Sequence, residues 1–199
     1  MTDRRIVIAT TNRGKLAEYR LLIRGREFVT VSDLIPGGVT VVEDGETFEA
    51  NALKKAREVS RATGMIALAD DSGLEVDLLG GLPGVRSARF AHEDATDEEN
   101  NNELVQRLRR SGGETKQFPA RFRAVLALVD PSDLEGGTTA SGTCEGFVIA
   151  TPRGTGGFGY DPLFIPEGYD KTLAELDLNE KNKISHRAKA VWALKKLIA

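Results

Sequence analysis

Two adjacent carboxylates, Asp70 and Asp71, follow the apolar run "MIAL" and precede Ser72-Gly73 in a chain of 199 residues. A third acid, Glu43, sits in "VVEDGE". Carboxylates at strand ends, in a chain with only two histidines, suit a hard, oxygen-seeking cation such as Mg2+ and not a zinc site. Asp-Asp-Ser-Gly is also good turn composition, so a plain turn stands as the other reading. If the pair lies on a strand, its side chains point to opposite faces and must serve different neighbours.

Basic and glycine-rich segments supply the complementary chemistry. "TTNRGK", Thr10 to Lys15, combines hydroxyls, an amide, Arg13, Gly14 and a lysine at a strand end leading into a helix. Backbone N–H groups at a helix start plus an ammonium suit a phosphate. The segment is not a P-loop, because G-x-x-x-x-G-K-[ST] is absent. An ordinary N-capped helix start explains the same residues. In "TFEANALKKAREVSRATG", Phe48, Ala52, Ala56 and Val59 form an apolar helical stripe, and Lys55 lies on it. A lysine there either snorkels to water or, with Asn51 one turn earlier, faces a ligand phosphate. "GTGGFG", Gly154 to Gly159, fits G-x-G-x-x-G, but Pro162 and Pro166 forbid the helix a dinucleotide site needs. It is a flexible glycine turn, or a loop approaching a ligand closely that carries Phe158 and Tyr160, where an exposed aromatic suits stacking on a base. In "KNKISHRAKA", Ser185 as N-cap puts His186 and Arg187 in a first helical turn, against the dipole. Either an anion or acceptor compensates them, or they form a solvated basic patch.

These residues need a scaffold. The chain is 40% hydrophobic and 29% charged with net charge -3, which fits a folded domain and argues against a general nucleic-acid binder. One cysteine, Cys144, excludes an internal disulfide and reads as a packing residue in a reducing, cytosolic compartment. No apolar run approaches a membrane span or a signal peptide. "RRIVIAT" reads as a buried strand, "LAEYRLLIRG" as a helix closed by Gly25, and "EFVTVSDL" as a second strand. "VTVVEDG" is extended. The Lys55 helix ends at Gly64, "MIALAD" is a strand, and "GLEVDLLGG" extends it or folds into a hairpin. Thr96 and Glu99 have capping-box spacing before a helix that closes on glycine near "SGGETKQ". "FPARFRAVLALVD" and "GTTASGTCEGFVIATP" read as antiparallel strands across a loop at Pro131 to Gly137. "KISHRAKAVWALKKLIA" reads as one amphipathic helix with Ile184, Ala188, Val191, Leu194 and Ile198 near one stripe. This order is an α/β fold with a mixed sheet.

In sequence order, "TTNRGK", "TFEANALKKAR", "LADDSGLEVDLLGGLPGVRSARF", "GTGGFGYDPLF" and "KNKISHRAKA" resemble the signature blocks of the inosine triphosphate pyrophosphatase family, over nearly the whole chain. The resemblance implies an elongated mixed sheet flanked by helices, one domain over residues 1–199 with two lobes and a central cleft. It also implies a homodimer, Mg2+ dependence, and hydrolysis of ITP, dITP or XTP to the monophosphate and pyrophosphate. Carried onto this chain, Thr10, Thr11, Asn12, Arg13, Gly14 and Lys15 hold the triphosphate, with Asn12 and Lys15 foremost, and Lys55 reaches phosphate. Glu43 and Asp71 hold the metal, and Asp71 orients or deprotonates water, with Ser72 next to it at the substrate. Phe158 stacks on the purine, Gly159, Tyr160 and Asp161 shape its pocket, and Lys181, His186 and Arg187 read the base edge. Donors at that edge match a 6-keto group and leave adenine's amino group unpaired. Thr11 stands where many members have glycine, and Ala50 where some carry glutamate. Three rivals remain: a Maf-like pyrophosphatase, a nucleotide-binding regulator without turnover, and an RNA-binding module built on the basic C-terminal segment.

Overall fold

In the computed structural model, residues 5–23, 27–112 and 116–197 are described. Gly25 and Ile198, expected at a helix end and on a helical stripe, lie outside these residues, as does part of "SGGETKQ".

Six strands form a mixed sheet in the order β2-β1-β3-β4-β5-β6. Strand β1 (Ile6–Ala9) is apolar and buried throughout, as a parallel strand covered on both faces requires. It pairs in parallel with β2 (Phe28–Thr30) and β3 (Ala67–Val76). Its register sets Ala9 opposite Ala69, so Asp70 falls just past the end of β1. Strands β4 (Gln117–Asp130) and β5 (Asp133–Ile149) are sheet neighbours joined only by Pro131-Ser132, which permits only an antiparallel pair. The connection is shorter than the expected loop because β5 starts at Asp133. Strand β6 (Phe164–Pro166) runs antiparallel to β5.

Helix caps are written locally. Helix α1 (Arg13–Leu22) starts at Arg13, three residues earlier than expected, because Asn12 caps it and accepts from the Lys15 N–H. "EFVTVSDL" is not one strand: β2 stops at Thr30 and a short helix, α2 (Val31–Leu34), follows. The cause is a capping box, in which Thr30 Oγ1 accepts from the Asp33 N–H and Asp33 Oδ2 accepts from the Thr30 N–H. Helix α3 (Phe48–Thr63) is capped by Thr47 and ends at Gly64, whose φ of 66° is a conformation that favours glycine. Its stripe of Phe48, Ala52, Ala56 and Val59 is buried. Helix α4 (Asp97–Gly112) follows the Thr96–Glu99 capping box. The C-terminal segment is two helices, α5 (Leu178–Ile184) and α6 (His186–Leu197), broken at Ser185, which is extended at ψ 152°. No helix among the described residues is long and apolar enough to cross a membrane.

The chain contains two compact units. The first comprises the described residues of Met1–Asp71, Ala124–Gly142 and Arg187–Ala199. Its core joins Ile6, Ile8 and Leu68 of the sheet to Tyr19 of α1 and to Ala188, Val191 and Leu194 of α6. The second comprises the described residues of Ser72–Arg123 and Thr143–His186. Its core joins Leu74, Phe122, Cys144 and Phe164 to Leu104 and Leu108 of α4, with Phe122 and Phe164 meeting edge to face at 4.8 Å.

Candidate active site

Asp70 and Asp71 lie on a continuous strand, so the Asp-Asp-Ser-Gly string is not a turn. The pleat sends the two carboxylates to different partners. Asp70 Oδ1 meets the Lys15 ammonium at 2.6 Å. Its Oδ2 accepts from the Tyr19 hydroxyl and from Arg187 Nε, each at 2.6 Å. The Arg187 Nη1 group donates to Glu18. Lys15, Glu18 and Tyr19 are three and four residues apart on α1, so one face of that helix presents all three.

This cluster is buried: Arg187 is 0% exposed, Glu18 1%, Tyr19 1% and Asp70 2%. Burial alone would push Asp70 up, but Arg187 and Lys15 beside it hold it well below the usual carboxylate range. Burial lowers Lys15, and Asp70 offsets part of that. Arg187 pays a desolvation penalty that its two carboxylates outweigh, so it stays charged. The Tyr19 phenol is pushed well up by burial and by Asp70, so it remains a donor.

Asp71 has the opposite electrostatics. Burial raises its carboxyl, Lys55 and Lys15 pull it back, and Glu43 adds to the rise. Its Oδ2 accepts from Asn51 Nδ2 at 3.0 Å. The Lys55 ammonium lies 2.8 Å from Glu43 Oε2 and 3.5 Å from Asp71 Oδ1. Two carboxylates thus converge on one cationic nitrogen. Asn51 is 0% exposed. Its amide accepts from the Gly45 N–H at 2.8 Å and donates to the Gly45 carbonyl at 3.3 Å, pinning the acidic loop to α3. A Cβ on Gly45 would stand 2.6 Å from Asn51 Oδ1, so only glycine permits this approach. Among the described residues no three His, Cys, Asp or Glu groups gather as a ready metal cage. Two carboxylates beside an amide fit Mg2+, which commonly takes one or two carboxylates and fills its octahedron with water and substrate phosphate.

The helix start is partly exposed. Thr10 Oγ1 accepts from the Asn12 N–H at 3.2 Å, and Asn12 Oδ1 caps Lys15. Thr11, Asn12 and Arg13 are exposed, Gly14 is half-buried, and no acid occupies the first turn. The positive end of the α1 dipole is therefore not neutralised from within the helix.

In the second unit a different group forms. Lys181, 2% exposed, meets Asp161 Oδ2 at 2.5 Å and holds its ammonium 4.7 Å from the Phe158 ring centroid. The same Asp161 oxygen accepts from the Phe158 N–H at 2.9 Å. Phe158 is half-buried. Tyr160 is not the exposed stacking aromatic expected from the glycine-rich loop: it is 3% exposed, and its hydroxyl donates to the Ser87 carbonyl at 2.9 Å. Burial and nearby Asp97 push its phenol up. His186 is 4% exposed and stacks on Phe122 at 4.9 Å and 13°. Ser72 is half-buried on β3. Arg187, a cation in a first helical turn that was expected to need an anion, has two, Glu18 and Asp70 of the first unit. Sequence reasoning did not place Glu18, Tyr19, Asp97 or Asn101 near the site; the spacing of Glu18 and Tyr19 from Lys15 was the available signal for the first two.

The chain is similar to known proteins over nearly its whole length. The model of the Ham1 family matches residues 6–197. A dITP/XTP pyrophosphatase of Bacillus licheniformis is 46% identical, covering 97% of this chain and 97% of the relative. One from Bacillus subtilis is also 46% identical, covering 96% of each chain. A HAM1 protein from Coxiella burnetii superposes with a TM-score of 0.86 at 38% identity, covering 100% of this chain and 98% of that one. A nucleoside-triphosphatase / dITP/XTP pyrophosphatase from Mycobacterium abscessus gives 0.73 at 40% identity, covering 96% and 98%.

Proposed function

The chain belongs to the Ham1 family, and we propose that it is a nucleoside triphosphate pyrophosphatase converting ITP, dITP and XTP to the monophosphate and pyrophosphate. The observation that carries this reading is the convergence of Glu43 and Asp71 on the Lys55 ammonium, beside a lysine-bearing helix start. The relatives' names support the substrate class.

A triphosphate is a polyanion, and attack on it needs alignment and charge neutralisation more than a strong nucleophile. Lys15 and Lys55 neutralise the phosphate chain, and the exposed start of α1, from Thr10 to Gly14, offers polar groups to it. Glu43 and Asp71 hold Mg2+, which when bound supplies positive charge at the phosphoryl oxygens. Asp71, beside the Lys55 ammonium, orients the attacking water and accepts its proton. Ser72 sits next to it at the substrate. Asp70 turns the other way and holds Lys15, with Arg187, Glu18 and Tyr19 fixing Asp70 in turn. Phe158 stacks on the purine. Asp161 aligns the Phe158 backbone and Lys181, Gly159 and Tyr160 shape the loop, and Lys181 and His186 donate to the 6-keto edge. The protein acts as a cytoplasmic homodimer.

The test is pyrophosphate release from ITP, XTP, GTP, ATP and dTTP. Turnover confined to ITP and XTP supports the assignment. Preference for dTTP points to a Maf-like enzyme, and binding without turnover to a regulator; either result overturns it. Light scattering tests the dimer.

A further inference from the structure

The loop that carries Phe158 is held from α4 by two residues with no assigned role. Asp97 Oδ2 accepts from the Gly159 N–H at 2.6 Å, and Asn101 Nδ2 donates to the Gly159 carbonyl at 3.0 Å. Asp97 and Asn101 are four residues apart on α4 and share a face. One helix face therefore grips both peptide groups that flank the Gly159 Cα. Gly159 itself has φ 59°, a left-handed conformation that favours glycine. The preceding Phe158 N–H is held by Asp161, and the following Tyr160 is anchored through its hydroxyl to Ser87. Helix α4 is a rigid base for this grip, because Leu104 and Leu108 are 0% exposed in the core of the second unit. A half-buried aromatic ring on such a loop is oriented before any ligand arrives.

We propose that Asp97 and Asn101 are positioning residues for the base: by clamping Gly159 they fix the Phe158 ring in the plane on which a purine stacks. This rests on the reading that Phe158 is the stacking surface. A ring already in place spends none of the stacking energy on ordering a loop. The clamp therefore acts on ligands that carry a base and not on phosphate groups alone.

The experiment measures calorimetric dissociation constants of IMP and of inorganic triphosphate for the full-length chain in Mg2+. Asp97→Ala and Asn101→Ala each raise the IMP constant about tenfold, equivalent to about 1.4 kcal/mol. Both leave inorganic triphosphate within about twofold, since a single clamp bond does not touch the phosphate group. Asp97→Asn keeps an oxygen that accepts from the Gly159 N–H and restores IMP binding. In a Phe158→Ala background, Asp97→Ala causes no further loss, because its effect passes through the ring. Equal weakening of both ligands, no change with IMP, or full additivity with Phe158→Ala overturns the clamp. If Asp97→Ala does not fold, Asn101→Ala carries the same comparison. If Phe158→Ala itself leaves IMP binding unchanged, the stacking reading fails. If Phe158→Ala weakens IMP while the α4 variants do not, the clamp alone fails.

Discussion

Neutralising each member of the Asp70-Asp71 pair has opposite consequences for stability. Asp70→Asn removes the charge facing three donors at 2.6 Å, the Lys15 ammonium, the Tyr19 hydroxyl and Arg187 Nε. Glu18 then remains as the carboxylate bonded to a fully buried guanidinium. Breaking a buried pair by removing one partner costs about 3–5 kcal/mol. For a chain of this size each kcal/mol moves Tm by about 2–4 °C, so the variant melts roughly 6–20 °C lower. Asp71→Asn removes a carboxylate whose ionised form burial disfavours, while Lys55 keeps Glu43. Its Tm stays level or rises. The pH dependence separates them further. Asp70 has a depressed folded value, so its stabilisation is present above its unfolded value of about 3.9 and is lost as pH falls through the folded one. The gap between wild type and Asp70→Asn is flat near neutrality and closes only in acid. Asp71 has a raised folded value, so the advantage of Asp71→Asn is absent below about pH 3.9 and appears as pH rises through that folded value. Thermal melts by circular dichroism in EDTA, across this pH range, measure both. An Asp70→Asn protein melting within about 3 °C of wild type, or Asp71→Asn falling as far as Asp70→Asn, refutes this division.

Three further outcomes follow from the contacts. Phe158→Ala raises KM for ITP by roughly 5- to 150-fold, the cost of about 1–3 kcal/mol of stacking, with a smaller change in kcat, in steady-state assays. Lys55→Met lowers kcat/KM for ITP by about 10²–10³, as loss of a charge aimed at the reacting group does, while the melting temperature shows that the fold survives. Asn51→Leu leaves the Gly45 peptide groups and Asp71 without their amide partner, and lowers stability by about 1–3 kcal/mol in urea titrations.

What could be read from the chain alone was local. The α3 stripe, its end at Gly64 and the misfit of Lys55 on the apolar face follow from spacing within one element, and the structure has Lys55 on two acids. Strand β1 was legible because four apolar residues in a row fit a strand covered on both faces. Helix α2 was missed because the β-branched run before it outweighs a capping box of one threonine and one aspartate. The helix start after Ser185 was legible from its N-cap chemistry, but the separate short helix α5 before it was not, because Lys183 and Ile184 continue the helical pattern of α6. A compensating anion for Arg187 was foreseen, but not which acids supply it. Its partners Asp70 and Glu18 lie 117 and 169 residues away in sequence, so no periodicity reports them. Tyr160 was misread for the same reason: the glycines around it suggest exposure, while its anchor at Ser87 is 73 residues away.

The most direct test of the proposed chemistry is the identity of the phosphorus product from ITP in Mg2+, for wild type and Asp71→Asn. The account predicts IMP with one pyrophosphate and no orthophosphate per turnover, abolished by EDTA and reduced by at least about 10³ in the variant, the upper end for loss of a positioned acid–base and metal-holding group. Orthophosphate as the first product, or an Asp71→Asn protein with near-wild-type turnover, contradicts it.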